Sequence, residues 1–193
     1  MNVQQINDNY ARQIERIENN RTYSDHAKKV MAAKAFKQAQ DAMEQIRQQE
    51  LKAIEDRREQ LQRKMFGRES GSADAQTVLA RRDANDRAAQ IENPRVAAEM
   101  LKKAQREGDH IYAQALAAHA ADFGWSDVLT SYADHQPGFR EAAKEFNQLP
   151  DTSATSEWRM HHTFAHVVVP PSAIADASPH QVAELAAQEL EAA

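Results

Sequence analysis

The chain has 193 residues, of which 41% are hydrophobic and 27% charged, and a formal net charge of −5. It is too apolar, and too mixed in the sign of its charges, to be a fully disordered polymer. The absence of cysteine excludes disulfide scaffolds and thiolate metal sites. Residues 1–10 lack the basic start and apolar run of a secretory signal, and no apolar stretch approaches the roughly 20 residues of a membrane span. Synthesis in the cytoplasm and no membrane partner are therefore expected.

Val3, Ile6, Tyr10, Ile14 and Ile17 follow one another at steps of three and four, which predicts a helix with one apolar stripe. Asn19 to Thr22 interrupt it. Ser24 with Asp25 is a candidate N-cap, so this interruption is either a short turn or a weak point in one continuous helix. From Asp25 to Phe66 there is neither Gly nor Pro. At about 1.5 Å per residue such a helix would run roughly 60 Å. Its apolar positions are Val30, Phe36, Ala39, Met43, Ile46, Leu51, Ile54, Leu61 and Met65. Ile6 to Ile17 and Met43 to Ile54 are both eleven-residue intervals, a period that keeps a stripe nearly straight or slightly right-handed. So long and polar a helix needs a partner for that stripe. Residues 3–19 folded back, or another chain, could supply it. The pairing residues expected are Ile14, Ile17, Phe36, Met43, Ile46, Ile54 and Leu61.

Gly67, Gly71 and the serines around them mark a break, with Ser72 as N-cap of a helix over 73–92. Asn93-Pro94 reads as an N-cap followed by the first helical residue, opening a helix over 94–107 that stops at Gly108. Further helices are expected over 110–123, from a cap at Ser126 to Asp134, and from Pro137 to Gln148. Eight of the twelve aromatic residues lie beyond position 109, which places the compact core there. The recurrent set Leu101, Ile111, Leu116, Trp125, Val128 and Phe139 resembles, in architecture, a helical-hairpin stack of the tetratricopeptide kind. The likeness spans 94–149, about one and a half repeats and fewer than a solenoid needs.

Residues 150–177 break the helical pattern. Val167-Val168-Val169, closed by Pro170-Pro171, predicts a strand or an extended arm lying on a partner. Ser178-Pro179 with Gln181 fits a capping box opening a last helix, about 179–191. The expected fold is all-α. A long helical arm (1–69) precedes a small helical bundle (73–149), an extended arm (150–177) and a C-terminal helix (178–193). Charge is graded along the chain, about +3 over 1–72, −3 over 73–149 and −5 over 150–193. That gradient is either an ordinary set of solvated faces or a means of head-to-tail contact.

His161, His162 and His166 are the one cluster to weigh as metal ligands. His162 and His166 would share a helix face, and two imidazoles can begin a zinc or nickel site. The nearest acid in sequence is Glu157, however, and the valine run points to extended structure, so surface or interface histidines are expected and no metal or cofactor site is assigned. His119 is read as a core or interface residue. Arg57, Arg58, Arg63 and Lys64, and then Arg81 and Arg82, are basic stretches that could contact phosphate. Glu55, Asp56 and Glu59 offset the first, and stacking aromatics are missing. The chain has no Gly-rich phosphate loop, nucleophile elbow or zincin pattern. No catalytic residue is assigned.

Three segments together, "ERIENNRTYSDHAKKVMAAKAFKQAQDAM", "LQRKMFGRESGSADAQTVLARRDANDRAAQ" and "AQREGDHIYAQALAAHAADFGWSDVLTSYADHQPGF", resemble small helical proteins from the structural gene clusters of actinobacterial tailed phages. The resemblance covers residues 10–150. It implies a virion-assembly role, in the host cytoplasm during synthesis and then in the virion, and transfers no site residue. The leading expectation is a non-enzymatic scaffold-like or minor head protein that pairs through its long helix with copies of itself and with another structural protein. Two alternatives stand beside it. One is a peptide- or protein-binding module with a groove around Tyr112, Trp125 and Tyr132. The other is a nucleic-acid-associated protein.

Overall fold

A computed structural model describes residues 2–67 and 75–189. The described residues are all-helical, with nine α-helices and no strand. They form two compact units, residues 1–55 with 150–193 and residues 56–149. This division differs from the arm and bundle expected at residue 69, because the long helix contributes to both units. The N-cap expected at Ser72 lies outside the described residues.

In the first unit, α1 (Val3–Asn19) opens with a reciprocal capping box between Asn2 and Gln5, which satisfies two otherwise orphaned N–H groups. The interruption after it is a true turn. Asn20 Oδ1 accepts from the Thr22 backbone N–H and hydroxyl, and Ser24 Oγ accepts from Ala27 N–H at the start of α2 (Asp25–Phe66). Residues 25–55 of α2 belong to this unit. The core joins Ile6 of α1 and Ala33, Phe36, Ala39 and Met43 of α2 to Val168, Ile174 and Val182. Val182 lies on α9 (Pro179–Ala187), opened by the Ser178–Gln181 capping box, and Ile174 on a 3-10 turn (Ser172–Ile174). The stripe of α2 is thus covered by the chain's own α1 and C-terminal segment. Apolar burial is non-directional and needs only complementary faces, and these are supplied from both ends of the sequence.

The extended arm expected over 150–177 is partly helical. α8 (Glu157–Ala165) is opened by Ser156, whose Oγ accepts from Arg159 N–H. The valine run leaves this helix without forming a strand. Val168 enters the core while Val167 and Val169 face outward. The Val169 carbonyl accepts from Tyr10 Oη at 3.0 Å. Burial, with a smaller contribution from Glu18, pushes the Tyr10 phenol up to about 12.

In the second unit, residues 56–66 of α2 accompany α3 (Ala75–Ala89), α4 (Pro94–Glu107), α5 (His110–Asp122), α6 (Ser126–Ala133) and α7 (Phe139–Gln148). α5 is central. It packs against α3, α4 and α6, and α6 also meets α4. Alanines make these close approaches possible, since Ala84, Ala88, Ala97, Ala104, Ala113, Ala117 and Ala120 are all buried around Leu101, Leu116 and Val128. Asn93 caps α4 ahead of Pro94, and Gly108 ends it in the left-handed region at φ 72°, where glycine avoids the Cβ clash. Two boundaries differ from expectation. Ser126 is the first residue of α6 rather than its cap, which is Trp125. α7 starts two residues after Pro137, because Gly138 (φ 78°) makes the turn.

Candidate functional site

The densest chemistry of the first unit lies where α8 ends against α2. Because α8 is helical through Ala165 and His166 is its C-cap, His162 and His166 fall on one face, one turn apart. Both are buried, with side chains 8% and 4% exposed, and both reach Glu50 of α2. His162 Nε2 lies 2.9 Å from Glu50 Oε2, and His166 Nε2 lies 3.3 Å from the same oxygen. The second approach is not aligned as a hydrogen bond, so His166 Nε2 is a buried nitrogen without a hydrogen-bond partner. His166 Nδ1 is 2.7 Å from the His162 carbonyl. A carbonyl only accepts, so Nδ1 carries a proton and donates it there, which turns Nε2 toward the carboxylate. Trp158 stacks on the His162 ring, with centroids 4.5 Å apart. One ligand atom from each of Glu50, His162 and His166 lies within 4.8 Å of the others.

The surface or interface placement expected for these histidines is thereby corrected for two of the three. His161 alone is exposed, 3.5 Å from Glu157. The acid that meets the buried pair is Glu50, 112 positions before His162. On the outer side of α8, Met160 and Phe164 are 55% and 72% exposed, and the neighbouring Val167 and Val169 are 56% and 72% exposed. Residues 160–169 contain no Asp, Glu, Lys or Arg. An uncharged apolar face of this kind commonly marks an interaction surface.

The residues expected to pair helices between chains are mostly covered already. Ile17, Phe36, Met43 and Leu61 are buried, and Ile14, Ile46 and Ile54 are half-buried. The proposed aromatic groove is likewise not assembled. Tyr112 and Tyr132 are core residues of the second unit. The guanidinium of Arg87 lies 4.0 Å from the Tyr112 ring centroid, and burial raises the Tyr132 phenol to about 12. Trp125 packs on His119 and Phe123, and His119 Nε2 is 2.8 Å from the Ile91 carbonyl, in keeping with a packing role. An open cavity of about 870 Å³ lies elsewhere in this unit, lined by Met65, Phe66, Leu129, Phe139 and Phe146 among others. The basic stretch of α2 is engaged within the unit. Arg57 makes a two-pronged contact with Glu145, at 2.6 and 2.7 Å, that holds this carboxyl below its usual range. Arg58 lies over Phe146, and Arg63 pairs with Glu59.

No family model, curated protein or solved structure matches this chain. Among the described residues, no helix is long and apolar enough to cross a membrane.

Proposed function

We propose that this chain is a non-enzymatic assembly protein that associates with copies of itself through the outer face of α8 and the segment that follows it. The observation that carries the reading is the exposed, uncharged set Met160, Phe164, Val167 and Val169. A second copy is the occupant it suits. In a two-fold contact each subunit presents the same patch, and a patch without formal charge meets its own copy without repulsion. The half-buried Ile14, Ile46 and Ile54 are lesser contributors, because the seam to which they belong is closed by the chain's own segments. Contact with another structural protein, and the virion setting implied by the phage resemblance, belong to the same proposal.

The test is absolute mass by light scattering over a concentration series, for the wild type and for Met160→Glu/Phe164→Glu. Both sites are exposed, so helicity should be preserved. The expected result is a discrete oligomer that dissociates on dilution and is monomeric in the double variant. A wild type that is monomeric at every concentration, or a double variant with unchanged association, would refute the proposal.

A further inference from the structure

The buried side of α8 presents a problem of charge and lone pairs that its protein neighbours leave unsolved. With its Nδ1 proton donated to the His162 carbonyl, His166 aims a buried Nε2 that has no hydrogen-bond partner at a carboxylate oxygen 3.3 Å away. A buried polar atom left unmatched loses its hydration without compensation. Nothing else within hydrogen-bond reach relieves it, since the nitrogen has no partner. A cation between the three groups would. For His166 the arrangement also suits a metal ligand, with the far ring nitrogen held by a backbone carbonyl and the near one turned into the cluster, whereas His162 Nδ1 has no such partner.

We infer that Glu50, His162 and His166 form a binding site for one divalent first-row transition ion, with zinc as the best match. Two imidazoles and a carboxylate are a recurrent zinc ligand set that leaves a coordination position open. Alkaline-earth ions fit poorly, because they prefer sites built from oxygen alone. The spacing agrees. Ligands about 2.0–2.1 Å from a tetrahedral ion lie about 3.3–3.4 Å from one another. The His166–Glu50 edge is 3.3 Å and the His162–Glu50 edge 2.9 Å, with all three ligand atoms inside 4.8 Å. Glu50 is half exposed, its side chain 49% accessible, which gives an ion a way in. An ion held there would fasten α8 to α2 through bonds that join residues 112 positions apart.

The experiment uses the full chain purified without a histidine tag, stripped with a chelator and equilibrated with zinc chloride. Bound metal is measured by elemental analysis. The expected result is about one equivalent of zinc per chain, with visible d–d absorption of a low-coordinate ion when cobalt(II) replaces zinc. Trp158, stacked on a ligand ring, should also change its emission on loading in a Trp125→Phe background. His166→Ala and His162→Ala should lose the site. These buried substitutions could unfold the chain, so Glu50→Gln at a half-exposed position is the decisive variant. It should weaken zinc at least about tenfold with helicity unchanged. His161→Ala should bind as the wild type does. A wild type that takes up no stoichiometric zinc, uptake that survives Glu50→Gln undiminished, or uptake that fails in His161→Ala would each overturn the assignment. Titration of the histidine pair with pH in a protein that binds no zinc would likewise overturn it, and would make the cluster a shared-proton ion pair.

Discussion

Met43 separates two accounts of the long helix. If the stripe of α2 were an intermolecular seam, Met43→Glu with Ile54→Glu would dissociate an oligomer and leave helicity intact. In the structure Met43 is 1% exposed and sits among Ile6, Phe36, Val168, Ile174 and Val182. A glutamate there would be a buried, unpaired charge, and the first unit should lose its fold rather than its partner. The milder Met43→Ala gives a magnitude. Removing a fully buried methionine side chain forfeits its transfer free energy and leaves a cavity, together about 3 kcal/mol within a usual range of about 2–5. With a urea dependence of about 2 kcal/mol per molar, the midpoint should fall by about 1.5 M. The two tryptophans lie in different units, so in a Trp125→Phe background the emission of Trp158 follows the unit that contains Met43. A loss below about 1 kcal/mol, or a Glu double variant that keeps full helicity while changing mass, would refute the placement of Met43 in an intramolecular core.

Two further outcomes follow from local geometry. Gly108 has φ +72° with open space where a Cβ would go, so Gly108→Ala should cost about 1–2 kcal/mol from backbone conformation alone, read by thermal unfolding, and a neutral result would mean that the turn relaxes. Hydrogen bonds from Arg47 and then Gln48 hold the Glu44 carboxyl at about 2 against an ordinary 4.5. Its stabilisation is therefore fully present above about 4.5 and lost as pH falls towards about 2. The stability gap between wild type and Glu44→Gln should close across that window, and a gap independent of pH would dismiss the interaction.

Much of the secondary structure was legible because it is fixed by neighbours in sequence. Asn93 before Pro94, Gly108 after α4 and Ser178 with Gln181 act over two to four residues, and each behaves as its chemistry requires. Of the two eleven-residue intervals, Ile6 and Ile17 are both buried, whereas Met43 is buried and Ile54 half-buried. Residues 3–19 were one of the two partners the stripe allowed, but its C-terminal cover was not legible, because Val168, Ile174 and Val182 arrive from the far end of the chain. The valine run misled for a related reason. β-branched residues favour a pleated surface only where another strand is present to pair, and here one valine fills a core beside helices while its neighbours face outward. The histidine pair was visible as a spacing, but the acid that gives it meaning stands 112 positions away among many glutamates that look the same in sequence.

The two-part first unit has a consequence for how the chain is made. Its second unit is an insertion, begun and completed between residues 56 and 149, so it can fold while the first unit still lacks its C-terminal half. Tyr10 and the carbonyl that accepts its hydroxyl proton are 159 positions apart, a delay of roughly 8–30 s at ordinary rates of translation. Through that interval the nascent chain can cover Phe36 and Met43 with α1 alone, without Val168, Ile174 and Val182. A holdase, or a neighbouring nascent copy on the same message, would meet that greasy strip before the chain's own tail does.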